Sequence, residues 1–323
     1  MSLVSVVIPC YDGERFVGEA IASVLAQTHG ALELIVVDDG STDGSVERVR
    51  AIADPRVRLV TQANAGVAAA RNRGAAAACG EYLAFLDQDD LWRPDKLARQ
   101  LETARARPEA GVVYTDAELL DDRGRPRGRW STRYTLPRGD VFETLIAKNT
   151  VVISTVLMRR AIFAATEGFG PYRFVEDLAL LLAIADRYPF ELVNEPLVSY
   201  RLDAASTSRR LGLEVAVAEM TALCEAWMAR SPARRAAVRR ALARYLYIAG
   251  KTALYRRDDM LARRYFRASL ALDARPGVAA WVLAARCAPR LPGVASAVYH
   301  ALRGSGGAAP GTFGDPPPAP RAS

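Results

Sequence analysis

Histidine is almost absent from this chain. His29 and His300 are its two copies in 323 residues, and neither belongs to a metal-ligand motif. No chemistry is assigned to either. Cysteine is nearly as scarce. Cys10, Cys79, Cys224 and Cys287 are widely spaced and form no C-x-x-C pair. That argues against a zinc knuckle or a disulfide framework, and fits buried free thiols in a reducing compartment. Long hydrophobic runs are missing too. No stretch of about 18 uncharged apolar residues occurs, so no membrane-spanning helix is expected. The opening run Leu3–Pro9 is short and lacks a basic n-region and a cleavage site, so it does not read as a signal peptide. The expected location is cytoplasmic, with peripheral contact at the inner face of the cell membrane as the one membrane role left open. Lysine is rare, with Lys96, Lys148 and Lys251 its only copies, so the basic charge is carried by arginine.

What is present supports a well-buried core. Half of the residues are hydrophobic, and the length allows one large domain and a smaller one. The formal charge of +7 is unevenly placed. Residues 209–323 hold 19 Arg/Lys against 7 Asp/Glu, while residues 1–208 hold 24 against 29. Three regions are expected: a catalytic domain over 1–208, a basic helical region over 209–303, and a disordered Gly/Pro/Ala-rich tail over 304–323. The basic region is either a solvated arginine-rich surface or a patch for anionic lipid or a polyanionic acceptor. It has no nucleic-acid recognition motif, so no nucleic-acid partner is expected.

Up to about residue 202, short β-like runs alternate with helical patterns. Strands are predicted at 4–8, 34–37, 57–60, 82–86, 111–116, 154–158 and 197–202. Helices are predicted at 14–27, 67–78, from Pro94 to about 106, and at 178–188. Such alternation predicts an α/β domain with a mainly parallel central sheet covered on both faces. From about residue 211 the pattern is all helical. Residues 259–273 read as half of a helical hairpin repeat in a single copy, hence a C-terminal helical appendage and not an array.

In a parallel sheet, ligands sit beyond the carboxyl ends of the strands. Two acidic clusters fall there. Asp38-Asp39-Gly40-Ser41-Thr42-Asp43 follows the second strand, and Asp87-Gln88-Asp89-Asp90 follows the fourth. Asp87 and Asp89 converge if the chain stays extended, since alternate side chains of a strand share a face. A D-x-D at a sheet edge suits Mg²⁺, which is held by one or two carboxylates together with substrate phosphate oxygens. Mn²⁺ takes the same oxygen ligands.

Four blocks stand in order: Val6-Val7-Ile8-Pro9-Cys10-Tyr11-Asp12, Val36-Val37-Asp38-Asp39-Gly40-Ser41, Asn64-Ala65-Gly66 with Ala70-Arg71-Asn72, and Gly80–Asp90. Together they resemble glycosyltransferase family 2, the inverting transferases of the GT-A fold, over about residues 3–202. The resemblance implies roles. Pro9 and Tyr11 would line the base pocket, Asp39 would bond base or ribose, and Arg71 would lie near the nucleotide. Asp87 and Asp89 would be the D-x-D, with Asp89 the direct metal ligand. Asp38 either joins this edge or caps the next helix, and Asp90 orients its loop. An inverting enzyme of this kind also needs a carboxylate base for the acceptor hydroxyl. In Phe174-Val175-Glu176-Asp177-Leu178 the family pattern points to Asp177, with Glu176 the alternative. A first-turn helix carboxylate favoured by the macrodipole is the competing account of Asp177.

The expected activity is metal-dependent transfer of a sugar from a nucleoside-diphosphate donor, most often a UDP-sugar in this family, to a saccharide or lipid-linked saccharide acceptor in cell-surface polysaccharide or glycoconjugate synthesis. Two rivals stand beside it: a polyprenyl-phosphate sugar transferase at the membrane surface, and a non-catalytic nucleotide-sugar binder. Trp92 is read as a packing residue. Trp130 and Tyr134 either stack on sugar faces or pack. The loop 121–135, with Arg123, Arg125, Arg127, Arg129 and Arg133, is either an acceptor-side lid that orders on donor binding or a plain surface loop.

Overall fold

The structure, a computed structural model, describes residues 2–202 and 212–273. The chain forms two compact units, 1–204 and 205–323. The expected tail over 304–323 lies outside the described residues.

The first unit is built on a nine-stranded sheet of order β3-β2-β1-β4-β8-β6-β9-β5, with β7 paired to β6. β1 (Val4–Cys10), β2 (Leu32–Asp38), β3 (Val57–Thr61) and β4 (Tyr82–Phe85) run parallel. Every residue of β1 and β4 is buried, which explains their nearly continuous apolar sequence, and Ser5, the exception, bonds Glu33 and the Gly80 N–H. β8 (Leu157–Arg159) enters antiparallel between β4 and β6 (Val112–Leu120), and β9 (Phe190–Arg201) runs parallel to β6. β5 (Leu91–Trp92) and β7 (Pro126–Arg129) are short antiparallel additions. Six strands thus share one direction, and the sheet is mainly parallel.

Helices cover the sheet. α1 (Val17–Leu25) buries Val17, Ala20, Ile21 and Val24, one stripe at helical spacing. It starts later than predicted, because Gly13–Phe16 form a turn in which the Gly13 carbonyl accepts from both Phe16 and Val17. α2 (Ser45–Arg50) follows β2, and α3 (Val67–Ala76) follows β3. α3 lies so close to β1 that a side chain at Gly74 would meet Val7 at 2.3 Å. α4 (Lys96–Ala106), α5 (Phe142–Ala147), α6 (Arg160–Ala164) and α7 (Glu176–Ala185) complete the unit.

Two sequence expectations need correction. The strand predicted at 154–158 is a 3-10 turn over Ile153–Thr155, and extended structure begins only at Leu157. The Thr155 N–H and hydroxyl both bond the Val152 carbonyl and close that turn. The last strand begins at Phe190, not 197, because bulges near Thr115–Ala117 keep a long ladder with β6 in register despite Pro196. The loop 121–135, expected as a lid or a plain surface loop, carries regular structure. It holds β7 and a 3-10 turn over Trp130–Thr132, and buried Asp121 accepts the N–H groups of Arg123 and Arg125 and the side chains of Arg125 and Arg127.

The second unit is all helical over the described residues: α8 (Gly212–Arg230), α9 (Arg235–Tyr255) and α10 (Asp259–Leu272). α9 and α10 pack at a glycine, where a side chain at Gly250 would meet the Phe266 ring at 2.6 Å. Asp258 caps α10 by accepting the Leu261 N–H, and Arg239 donates to the last carbonyls, Leu272 and Ala271. Part of the arginine excess here is therefore helix capping. Among the described residues, no helix is long and apolar enough to cross a membrane.

Candidate active site

The sheet order changes direction at β1, whose neighbours are β2 on one side and β4 on the other. Loops leaving the carboxyl ends of β1, β2 and β4 meet there, the usual place for a ligand crevice. Pro9 is buried at the end of β1. Pairing with β4 ends at Val7, so the missing N–H of Pro9 removes no ladder bond on that side. Tyr11 is 47% exposed and open to a ligand. Its backbone exchanges two hydrogen bonds with the Gln88 side chain, tying the β1 loop to the β4 loop. Asp12, held at φ 45°, ties it to the β2 loop by accepting the Thr42 N–H at 2.8 Å.

The two carboxylates after β2 are buried and engaged locally. Asp38 accepts the Ser41 N–H at 3.3 Å and so shapes its own loop; α2 starts further on, at Ser45. Asp39 accepts from Gln62 Nε2, Ala65 N–H and Gly66 N–H at 2.7–2.9 Å. Gly66, at φ 90°, is the residue from which α3 starts. Asp39 therefore sets the start of the helix that carries Arg71.

Arg71 is the centre of the site. It is 4% exposed, yet it reaches Asp87 at 2.5 Å and Glu176 at 3.1 Å, joining three distant segments. Its guanidinium lies 5.1 Å from the Phe169 ring centre. Asn72 holds Phe169 by a reciprocal pair of backbone bonds. Arg71 Nε is buried and has no acceptor among the described residues.

The chain does not stay extended through the D-x-D. β4 stops at Phe85, and the Asp90 N–H donates to the Asp87 carbonyl to close a turn. The Asp87 N–H donates to Ser154 Oγ, and Ser154 Oγ donates to Asp90 Oδ2 at 2.6 Å. Asp90, 1% exposed, also accepts the Arg201 N–H, and Arg201 Nε donates to the Asp89 carbonyl. Burial, then the charges of Asp89 and Asp87, push the Asp90 carboxyl well above the usual carboxylate range. Asp90 anchors the turn, while Asp87 and Asp89 remain partly exposed.

Glu176 and Asp177 open α7 in a short apolar setting. Asp177 accepts the Leu178 N–H on Oδ1 and Asn149 Nδ2 at 3.1 Å on Oδ2. Burial raises its affinity for a proton and Arg71 opposes this. Glu176 is pushed up to about 7, first by burial and then by the charge of Asp177, with Arg71 again opposing. The Tyr200 hydroxyl is held well above its ordinary value, first by burial and then by Asp90, Asp87, Asp89 and Asp177.

Five carboxylates against Arg71 and Arg201 leave a local excess of negative charge. A divalent cation would discharge it. Among the described residues, no group of three or more His, Cys, Asp or Glu side chains is arranged to enclose an ion. The donors present, Asp87 and Asp89, fit an ion held jointly with substrate phosphates, as Mg²⁺ commonly is.

Gln88, Asn149, Ser154, Tyr200 and Arg201 are the site residues that sequence reasoning missed. Gln88 lies inside the acidic motif and was legible as part of it. The other four have no local signal. Trp92 is a packing residue, 4% exposed, with its Nε1 on the Ser154 carbonyl and Lys96 Nζ 3.8 Å from its ring centre.

A family model described as glycosyl transferase family 2 matches residues 5–164. The putative teichuronic acid biosynthesis glycosyltransferase TuaG of Bacillus subtilis is 33% identical over 205 residues, covering 62% of this chain and 79% of TuaG. The chain belongs to glycosyltransferase family 2. The UDP-Glc:alpha-D-GlcNAc-diphosphoundecaprenol beta-1,3-glucosyltransferase WfgD of Escherichia coli is 29% identical over 209 residues, 64% of this chain and 79% of WfgD. The glycosyltransferase alr2836 of Nostoc is 31% identical over 212 residues, 63% of this chain and 66% of that protein. The chain spans only 34% of a similar glycosyltransferase from Rickettsia conorii. Two solved structures share the GT-A fold. Staphylococcus aureus TarS 1–349, in complex with UDP-GlcNAc, aligns with a TM-score of 0.67 at 17% identity, over 92% of this chain and 88% of TarS 1–349. The mannosyltransferase PcManGT of Pyrobaculum calidifontis, in complex with GDP-Man and Mn²⁺, aligns at 0.57 and 20% identity, over 94% and 82%.

Proposed function

We propose that residues 1–208 catalyse inverting transfer of a sugar from a nucleoside-diphosphate donor to an acceptor hydroxyl, with a divalent cation, in cell-surface polysaccharide or glycoconjugate synthesis. The observation that carries this reading is the joining of the helix after β3, the turn after β4 and the start of α7 through the single buried residue Arg71. The relatives named for teichuronic acid synthesis and for glucosyl transfer support the setting. The fold neighbours bound to UDP-GlcNAc and to GDP-Man support the donor class.

On this reading, Pro9, Tyr11 and Asp39 form the base and ribose side of the donor pocket. Arg71, anchored by Asp87 and Glu176, lies near the nucleotide. Asp89, with Asp87, would hold Mg²⁺ or Mn²⁺, which when bound neutralises charge on the leaving diphosphate. The Mn²⁺ complex of PcManGT supports that assignment. Asp177 takes the proton of the acceptor hydroxyl as it attacks the anomeric carbon. Asn149 and the Leu178 N–H hold the Asp177 carboxylate in one orientation, and its raised proton affinity makes it a better base. The hydroxyl adds opposite the departing diphosphate, so the anomeric centre inverts without a covalent sugar–enzyme intermediate. The acceptor of WfgD supports a lipid-linked saccharide as acceptor class.

The test is calorimetric titration and hydrolysis assays with UDP-, GDP- and dTDP-sugars, with Mg²⁺, Mn²⁺ or EDTA. Wild type is expected to bind and slowly hydrolyse one donor in the presence of metal only, and Asp89→Ala to lose that binding. Binding without turnover in any assay would favour a non-catalytic nucleotide-sugar protein.

A further inference from the structure

Beside the candidate base stands a group of residues that donor binding does not use. The β6–β7 hairpin carries Arg123, Arg125, Arg127 and Arg129, all exposed and at alternate positions. The side chains of Arg125 and Arg127 converge on one oxygen, Asp121 Oδ2. Gly124, Pro126 and Gly128 stand between the arginines, so no other long side chain intervenes. The hairpin therefore concentrates four cations within seven residues. Among the described residues, Asp121 is the acid bonded to Arg125 and Arg127, so their charge is only partly compensated.

The base of this ladder leads into the site. Trp130 follows Arg129 and is half-buried, 4.4 Å from the Tyr134 ring centre and 5.8 Å from that of Tyr200. Tyr200 is the tyrosine whose hydroxyl is pushed up by burial and by the charges of Asp90, Asp87, Asp89 and Asp177. Trp130 Nε1 donates to the Thr150 carbonyl at 2.7 Å, and Thr150 is next to Asn149, which orients Asp177. Lys148 Nζ lies 4.0 Å from the Tyr134 ring centre. Trp130 and Tyr200 pack with one face on the core, and partly exposed aromatic rings near a carboxylate base suit a sugar ring, whose C–H face packs on a π-surface while its hydroxyls stay hydrogen-bonded. Cations at the rim of such rings suit an anionic group attached to that sugar.

We propose that Trp130, Tyr134 and Tyr200 form the acceptor subsite, and that Arg127 and Arg129 select an acceptor sugar bearing or adjoining an anionic group. This rests on Asp177 as the base and names the acceptor for the same site. The anion has two chemical sources, a diphosphate linking the sugar to a lipid or a uronate within a saccharide chain.

The test titrates the full-length chain, with and without UDP, against four probes. Two are anionic: an octyl diphosphate ester of GlcNAc and a glucuronate-containing hexasaccharide. Two are neutral counterparts: octyl GlcNAc glycoside and maltohexaose. At least one anionic probe should bind about tenfold more tightly than its neutral counterpart, and the difference should shrink at high salt. The probe that binds identifies the source. Arg127→Ala/Arg129→Ala should lose about tenfold in affinity for that probe, and the Glu double variant more, while Trp130→Ala should weaken the neutral counterpart as well. Melting temperatures of the variants within a few degrees of wild type show that the fold is kept. Equal binding of charged and neutral probes, no binding of either anionic probe, or unchanged affinity in the charge-reversed variant would each overturn the proposal. Donor titration of wild type is read separately, so a missing donor refutes the proposed function and leaves the acceptor measurement standing.

Discussion

The two acidic loops of the sheet edge look alike in sequence and behave differently. Asp38 and Asp39 are met by nearby donors: the Ser41 N–H, Gln62, and the N–H groups of Ala65 and Gly66. Asp87, Asp89 and Asp90 are next to one another and are balanced by Arg71 and Arg201, which come from far along the chain. In the first loop Asp39, with three donors, acts as a scaffold for the start of α3. In the second, distant arginines join the turn to other parts of the sheet edge and to α7. Where the partners come from, and not the sequence context of the acids, separates the two.

Substitutions should separate them further. The largest expected effect is on turnover in the second loop. Asp89→Ala should lower kcat/KM for donor by about a thousandfold, with a change in melting temperature of only a few degrees. Arg71→Ala should act on both loops. It leaves buried Glu176 and partly exposed Asp87 uncompensated, so unfolding in urea should show a loss of about 3 kcal/mol. Asp39→Ala should lower stability by about 1–3 kcal/mol, because three donors lose their acceptor, and should weaken donor binding as well. If Asp39→Ala leaves stability unchanged, the scaffold role is wrong. Ser154→Ala removes the hydroxyl linking the Asp87 N–H to Asp90, and should cost about 1–2 kcal/mol.

Glu176 offers a test by pH. Its folded value of about 7 lies above the ordinary 4.5, so the folded state binds the proton more tightly. That stabilisation is complete below about 4.5 and is lost as pH rises through about 7. Melting curves in EDTA should therefore fall between pH 5 and pH 8, and Glu176→Gln should flatten this part of the profile. The smallest effect concerns thiols. Cys10 is buried and pushed up to about 11, and Cys224 is buried and pushed up to about 12, while Cys79 is exposed. Alkylation of the native chain at pH 8, followed by peptide mapping, should label Cys79 ahead of Cys10 and Cys224.

Much of the fold was legible because fully covered parallel strands are short apolar runs that end in glycine, proline or acids. β1, β2 and β4 have that form, and so do the apolar stripe of α1 and the helical second unit. β5 has two residues and no period to detect. β7 is Pro-Arg-Gly-Arg, wholly exposed, and its pairing depends on Asp121 gathering Arg125 and Arg127. In the site, the acidic motifs and Arg71 were visible as residues, but their joining was not. The Arg71–Glu176 pair spans 105 positions and the Arg201–Asp90 bond 111, distances at which local pattern carries no information.

The most direct test of the account is the separation of binding from turnover at Asp177. Donor affinity by calorimetry and donor consumption by nucleotide release should be measured for wild type and Asp177→Asn under one metal condition. The account predicts donor affinity within about threefold of wild type and turnover below about a thousandth. Turnover close to wild type would contradict it and remove Asp177 from the chemistry.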